Sequence, residues 1–270
     1  MSLDDSHRLN LPRILCLHGG GTNARIFRSQ CRVLSTHIQD EFRLVFAEAP
    51  LPCQAGPDVL SVYKEWGPFK SWIPSAIGCA SVDSHTSIRM FNNALQHAMD
   101  VDDSKGATGA WVGILGFSQG AKMAASILLL QQMRQMHGAK TDNRLDFRFG
   151  ILLAGRAPLV ALDSGFIAID GPGQIQLVGP NDEQIYRNDD RLPDVYRDVV
   201  LYRLCIPTVH VHGLQDPGLP LHRRMLGSCC ERQATRLMEW EGNHRVPIKT
   251  KDVTVLVQHI RSIAEEAGVY

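Results

Sequence analysis

Six short apolar runs punctuate the chain, and each stops at a turn residue or at a residue with chemistry to offer. "RILCL" (13–17) runs into His18-Gly19-Gly20-Gly21, "FRLVFAEAP" (42–50) stops at proline, and "WVGILGF" (111–117) stops at Ser118. "FGILLAG" (149–155), "IPTVHVHG" (206–213) and "RLMEWEG" (236–242) each stop at glycine. Runs of this length, rich in Val, Ile and Leu and bounded by turn residues, predict β-strands. Most are apolar at every position rather than at alternate ones. That pattern predicts strands covered on both faces, as in a largely parallel sheet. Helical periodicity fills the gaps. "AKMAASILLLQQMRQM" (121–136) is apolar nearly all round in its first half and predicts a helix packed deep on the sheet. Residues 85–100 space Ile88, Phe91, Leu95 and Met99 at three-to-four intervals. Residues 253–268 put Val253, Leu256, Ile260 and Ile263 on one face and end near Gly268. Strands alternating with helices predict βαβ units with right-handed crossovers, within a single α/β domain spanning 1–270.

Two stretches break the alternation. Residues 51–84 and 156–204 are long and rich in Pro and Gly, and the first also carries Trp66 and Trp72. Both follow predicted strands, so both leave the carboxyl edge of the sheet, where open α/β folds bind ligands. They are expected to form the walls or lid of a pocket; the alternative is variable surface insertion.

Composition narrows the class. Lys+Arg and Asp+Glu are both 28, so the chain lacks the basic footprint of a nucleic-acid binder. With 44% hydrophobic residues it has the make-up of an ordinary globular domain. No window is apolar for the roughly 18 residues a membrane helix needs, and "MSLDDSHRLNLPR" has neither the basic nor the apolar region of a secretion signal. Seven scattered cysteines without a C-x-x-C pattern predict reduced thiols and a cytoplasmic protein. No His/Cys cluster has metal-ligand spacing. "HGGGTN" lacks the lysine of a phosphate-binding loop and the spacing of a dinucleotide fingerprint, so no metal and no cofactor is expected.

The chemistry centres on Gly116-Phe117-Ser118-Gln119-Gly120, a G-x-S-x-G pattern between a predicted strand and a predicted helix. In that context the serine sits on a sharp turn, its hydroxyl raised at the sheet edge and its neighbouring N–H groups aimed at the positive end of a helix. A serine hydroxyl needs a base, and the base needs a carboxylate, in the chain order Ser, Asp or Glu, His. Of the later histidines, His244 stands in a loop just past the last predicted strand and is the preferred base. His222, read as a loop residue, is the rival; His210 and His212 read as strand-face residues, and His137 and His259 as surface positions on helices. Asp216, just past "TVHVHG", is the preferred acid, although an Asx-turn before Pro217 would also explain it. Asp163, Asp170, Asp182, Asp189, Asp190, Asp194 and Asp198 in the second insertion are less favourably placed. An oxyanion hole needs two backbone donors. Gln119 N–H should supply one. The glycine loop should supply the other, through Gly20 or, as rival, Gly21.

"ILCLHGGGTNARIFRSQ", "FAEAPLP", "GPFKSW", "GILGFSQGAKMAA", "HVHGLQDP" and "EGNHRVP" resemble the fungal serine hydrolases of the FSH family, from about residue 13 to 262. The resemblance implies an α/β-hydrolase with a triad of Ser118, Asp216 and His244. One branch is similar to the lovastatin-type thioesterases and lies near the citrinin-pathway hydrolases. It implies an ester or thioester substrate, with a polyketide acyl chain presented by the acyl carrier protein of a synthase. Trp66, Phe69, Trp72, Ile73, Phe166 and Ile167 are the candidates to line an acyl pocket, with plain packing as the alternative for each. Acyl transfer through the same acyl-enzyme, a carboxylesterase acting on small esters, and a non-catalytic binder on the same scaffold are the competing readings.

Overall fold

The computed structural model describes residues 8–56, 58–74, 82–138, 146–163, 177–178 and 203–270. In chain order the elements are β1 (Arg13–Leu17), α1 (Ala24–Gln30), α2 (Arg32–Ile38), β2 (Arg43–Ala47), β3 (Leu51–Pro52), α3 (Val59–Tyr63), β4 (Lys70–Ser71) and α4 (Ser84–Asp103). They continue as β5 (Trp111–Phe117), α5 (Gln119–Met136), β6 (Phe149–Leu153), β7 (Leu159–Val160), β8 (Leu177–Val178), β9 (Thr208–Gly213), α6 (Leu219–Arg224), β10 (Thr235–Trp240) and α7 (Thr250–Glu266).

The six apolar runs become one six-stranded sheet in the order β10-β9-β6-β5-β1-β2, parallel at every pairing. The sheet is an α/β-hydrolase-like core: β1, β5, β6 and β9 are buried at every position, as unbroken apolar runs require. Its two faces carry separate apolar layers. One packs Leu15, Leu17 and Ile114 against Phe91 and Leu95 of α4 and Met123 and Leu128 of α5. The other packs Ile14, Cys16 and Leu115 against Phe27 of α1, Leu34 of α2 and Val253, Leu256 and Ile260 of α7. The strand order reverses between β1 and β5. The first two strands build outward on one side, and every later strand of this sheet builds on the other. Loops leaving adjacent strands diverge at such a switch point and open a crevice there. The glycine loop follows β1 and Ser118 follows β5, so the topology brings both to that crevice.

Some helices were not legible in the apolar pattern. α1 and α2 have seven residues each, too short for a helical period to stand out, and bury only Ile26, Phe27, Leu34 and Ile38. α1 starts because the Asn23 side chain caps it, accepting from Ile26 N–H at 2.8 Å. α6 was expected as loop; Pro220 lies in its first turn, where a missing N–H costs nothing.

A buried ionic cluster ties α4 to the sheet. Arg43 donates to Asp102 through Nε at 3.0 and 3.1 Å and through Nη2 at 2.7 Å. Arg13, almost wholly buried, bonds Asp103, approaches Asp102 at 3.6 Å and lies 4.1 Å from the centre of the Trp111 ring. Among the described residues, no helix is long and apolar enough to cross a membrane.

Candidate active site

Ser118 sits between β5 and α5 with φ 54° and ψ −116°. This left-handed backbone is costly for a residue with a side chain, about 1–3 kcal/mol, and its surroundings impose it. The Ser118 N–H donates to the Leu153 carbonyl at 2.8 Å, and the Ser118 carbonyl accepts from Ala121 and Lys122 N–H at 3.1 Å. Both flanking glycines are sterically required. A Cβ on Gly116 would lie 2.3 Å from the Gly120 carbonyl oxygen, and a Cβ on Gly120 would lie 2.1 Å from that of Leu17. Gly120 therefore makes room for the end of β1, while Gly116 makes room for the start of α5.

Asp216 follows β9. Its Oδ1 accepts from Gly218 N–H at 2.8 Å, closing an Asx-turn. Its Oδ2 lies 2.6 Å from Nδ1 of His244. His244 follows β10, and its Nε2 lies 2.9 Å from Ser118 Oγ. A carboxylate only accepts, so Nδ1 carries the imidazole proton and Nε2 is left to accept from the serine hydroxyl. Three loops, after β5, β9 and β10, thus deliver one continuous hydrogen-bonded row. Burial works to raise the Asp216 carboxyl. The bond and charge of His244, then the Gly218 N–H, outweigh it and hold the carboxyl at about 2.

His222 also reaches this site, from a buried position on α6 rather than from a loop. Its Nε2 is 3.7 Å from Asp216 Oδ2, beyond hydrogen-bond reach, and its ring lies 6.0 Å from that of His244. Burial pushes it down to about 3. The imidazole that touches the Ser118 hydroxyl is that of His244. Asp216, His222 and His244 are the one group of three among the described residues whose ligand atoms converge closely enough to hold a metal. Two of the three already form the row to Ser118. Asp163 is paired instead with Arg134 at 2.7 Å. Asp170, Asp182, Asp189, Asp190, Asp194 and Asp198 lie outside the described residues.

The glycine loop discriminates between its two candidate donors. The Gly21 N–H donates to the Lys70 carbonyl at 2.9 Å, whereas the Gly20 N–H makes no hydrogen bond among the described residues. Gly20 lies against Gln119: a Cβ on it would meet the Gln119 side chain at 3.1 Å. That side chain is itself anchored. Its Oε1 accepts from Trp72 N–H at 2.9 Å and Ser71 Oγ at 3.0 Å, which fastens the β3–β4 pair to the elbow.

A cavity of about 920 Å³ opens over Ser118 and His244. Residues of the first insertion line it, including Val59, Val62, Tyr63 and Trp66, as do Pro158, Val246 and Ile248. Of the six expected pocket residues, Trp66 is on this wall. Trp72 and Ile73 are not: both are almost wholly buried in the core, and Trp72 donates Nε1–H to the His18 carbonyl at 2.7 Å while packing on Phe91. The indole is a structural prop beneath the glycine loop. Phe69 is half-buried beside Gly67 and is also absent from the wall. Phe166 and Ile167 lie outside the described residues. The sequence reading missed Val246 and Ile248, although "HRVPI" places them directly after His244.

Comparison with known proteins follows the same lines. A family model described as serine hydrolase (FSH1) matches residues 8–256. Esterase pigG of Monascus ruber is 51% identical, over 99% of this chain and 96% of its own length. Esterase dbaE of Emericella nidulans is 50% identical, over 97% and 94%. Among solved structures, acyl-protein thioesterase 2 of Zea mays superposes with a TM-score of 0.51 at 12% identity, covering 94% of each chain. At that identity the likeness concerns the fold alone.

Proposed function

Given that the chain belongs to the serine hydrolase (FSH1) family, we propose that it cleaves an ester or thioester through an acyl-enzyme on Ser118, with Asp216 and His244 as its partners. The observation that carries this reading is the row Asp216–His244–Ser118, joined at 2.6 and 2.9 Å, with Ser118 and His244 lining a cavity. Ser118 Oγ attacks the acyl carbonyl while His244 Nε2 takes its proton. The negative charge that develops on the carbonyl oxygen is met by Gln119 N–H at the positive end of α5 and by Gly20 N–H. His244 then gives the proton to the departing alcohol or thiol, and water activated by the same imidazole releases the acid. Asp216 orients the ring and stabilises the imidazolium. Its carboxyl, held at about 2, stays ionised at working pH.

A polyketide acyl chain delivered on a carrier-protein arm is the substrate we favour. A cavity of about 920 Å³ with an apolar side supports it, because that space exceeds what a short acyl group fills. The test is labelling with a fluorophosphonate probe, followed by turnover of thioesters and esters of graded acyl length. Wild type should be labelled and Ser118→Ala should not, with turnover lost and the melting temperature kept. A purified Ser118→Ala protein that still turns over substrate would sink the assignment.

A further inference from the structure

Among the described residues, the cavity wall carries more basic than acidic side chains. Basic and acidic residues number 28 each overall. The described lining includes three arginines, Arg32, Arg156 and Arg245, and one carboxylate, Asp58. Their placement is graded. Arg32 and Arg245 are exposed, and neither forms an ion pair with a described residue. Arg156 is half-buried beside the site. Its Nη2 is 3.9 Å from Asp216 Oδ1, too far for a hydrogen bond, and that oxygen already accepts from Gly218. Its Nε is buried without a hydrogen-bond partner. Lys122 is buried in the first turn of α5, one turn from Ser118. The N-terminus of α5 adds a positive potential at the same point.

We propose that the cavity recognises negative charge on the non-reacting part of its substrate, that is, an ester or thioester that also bears a carboxylate or a phosphate. This rests on the hydrolase reading above and adds the substrate's charge to it. Cations on the walls of a low-dielectric cleft raise the local concentration of anions and speed their encounter. A guanidinium held in a wall matches the two oxygens of a carboxylate or phosphate in one fork. Arg32 and Arg245, the exposed arginines of the lining, fit an anion carried outward on the leaving-group arm. Arg156 fits one on the acyl side.

Two matched pairs of substrates test this and separate the two sources. p-Nitrophenyl valerate and the p-nitrophenyl monoester of glutaric acid have equal acyl length and differ by a terminal carboxylate. Butyryl-pantetheine and butyryl-4′-phosphopantetheine share the whole arm and differ by the phosphate alone. At low ionic strength, kcat/KM for the anionic member of at least one pair should exceed its neutral twin by about tenfold, and high salt should shrink that ratio. Arg156→Gln should lower the ratio of the acyl pair and Arg156→Lys should restore part of it. Arg245→Gln should lower the ratio of the thioester pair. Brisk turnover with both ratios at or below one overturns this inference and leaves the hydrolase reading standing. No turnover of any of the four compounds, with no labelling of Ser118, overturns both.

Discussion

At Asp216 both carboxylate oxygens are engaged, one by its own turn and one by His244. The Asx-turn, the alternative to the acid role as a reading of the sequence, therefore coexists with the bond to His244: the turn fixes the carboxylate that the ring meets. Asp216→Asn keeps the turn, because the amide oxygen can still accept from Gly218. Its NH₂, however, faces Nδ1 as a donor and favours the wrong imidazole tautomer. Steady-state kinetics should show kcat lowered by about 10⁴, the loss seen for the equivalent change in a serine protease, with little change in melting temperature. A variant near wild-type rate would move the acid role elsewhere. Ser118, Asp216 and His244 were all legible from the chain, because each follows directly on an apolar run and strand ends are rigid. The choice between Gly20 and Gly21 was not. It turns on whether the Lys70 carbonyl, from a distant insertion, occupies the Gly21 N–H.

The elbow is where element geometry and chemistry meet. α5 can start at Gln119 only if β1 and β5 lie close beside it, and Gly120 is the contact point with β1. Gly120→Ala would place a methyl 2.1 Å from the Leu17 carbonyl oxygen. Backbone cannot swing aside as a side-chain tip can. We expect a loss of more than about 2 kcal/mol in denaturant unfolding, and lower kcat in whatever folds; a stability equal to wild type would mean the elbow yields more easily than its packing implies. Elements outside the site were less legible. Arg13, Arg43 and Asp102 carry no signal in the apolar pattern, yet they form the cluster that fixes α4 to the sheet. A charge pattern does not reveal which charges will face each other across a fold. Trp72 misled for a related reason: its aromatic bulk suits a pocket wall as well as a core, and the packing against His18 and Phe91 placed it in the core.

Over the whole molecule, burial of histidines couples stability to pH. His210, His212 and His222 are pushed by burial to about 3, 4 and 3, against ~6.5 in an unfolded chain. Above 6.5 both states are neutral and the stability is fully present. As pH falls below 6.5 the unfolded chain takes up protons that the folded protein refuses, so stability declines down to the folded values. Near pH 5 roughly three protons are taken up on unfolding, a slope of about 4 kcal/mol per pH unit. Calorimetry across pH 8 to 5 should show the melting temperature falling steeply below 6.5. A level melting temperature from pH 7 to 5 would rule out neutral burial of these rings.

Read along the chain, the periodicity of apolar residues was enough for the parallel sheet, and the order of Ser118, Asp216 and His244 after three of its strands pointed to the hydrogen-bonded row. Both depend on local patterns: side-chain alternation fixes how a strand is covered, and a residue at a strand end goes where the strand goes. What folding added depends on contacts between segments far apart in sequence. The reversal of strand order between β1 and β5 sets the glycine loop beside Ser118. The first insertion spends Gly21 and leaves Gly20. Arg32, Lys122, Arg156 and Arg245 converge on one cavity from four separate segments. Such convergence comes from three-dimensional packing, which a neutral composition and scattered charges along a chain do not record.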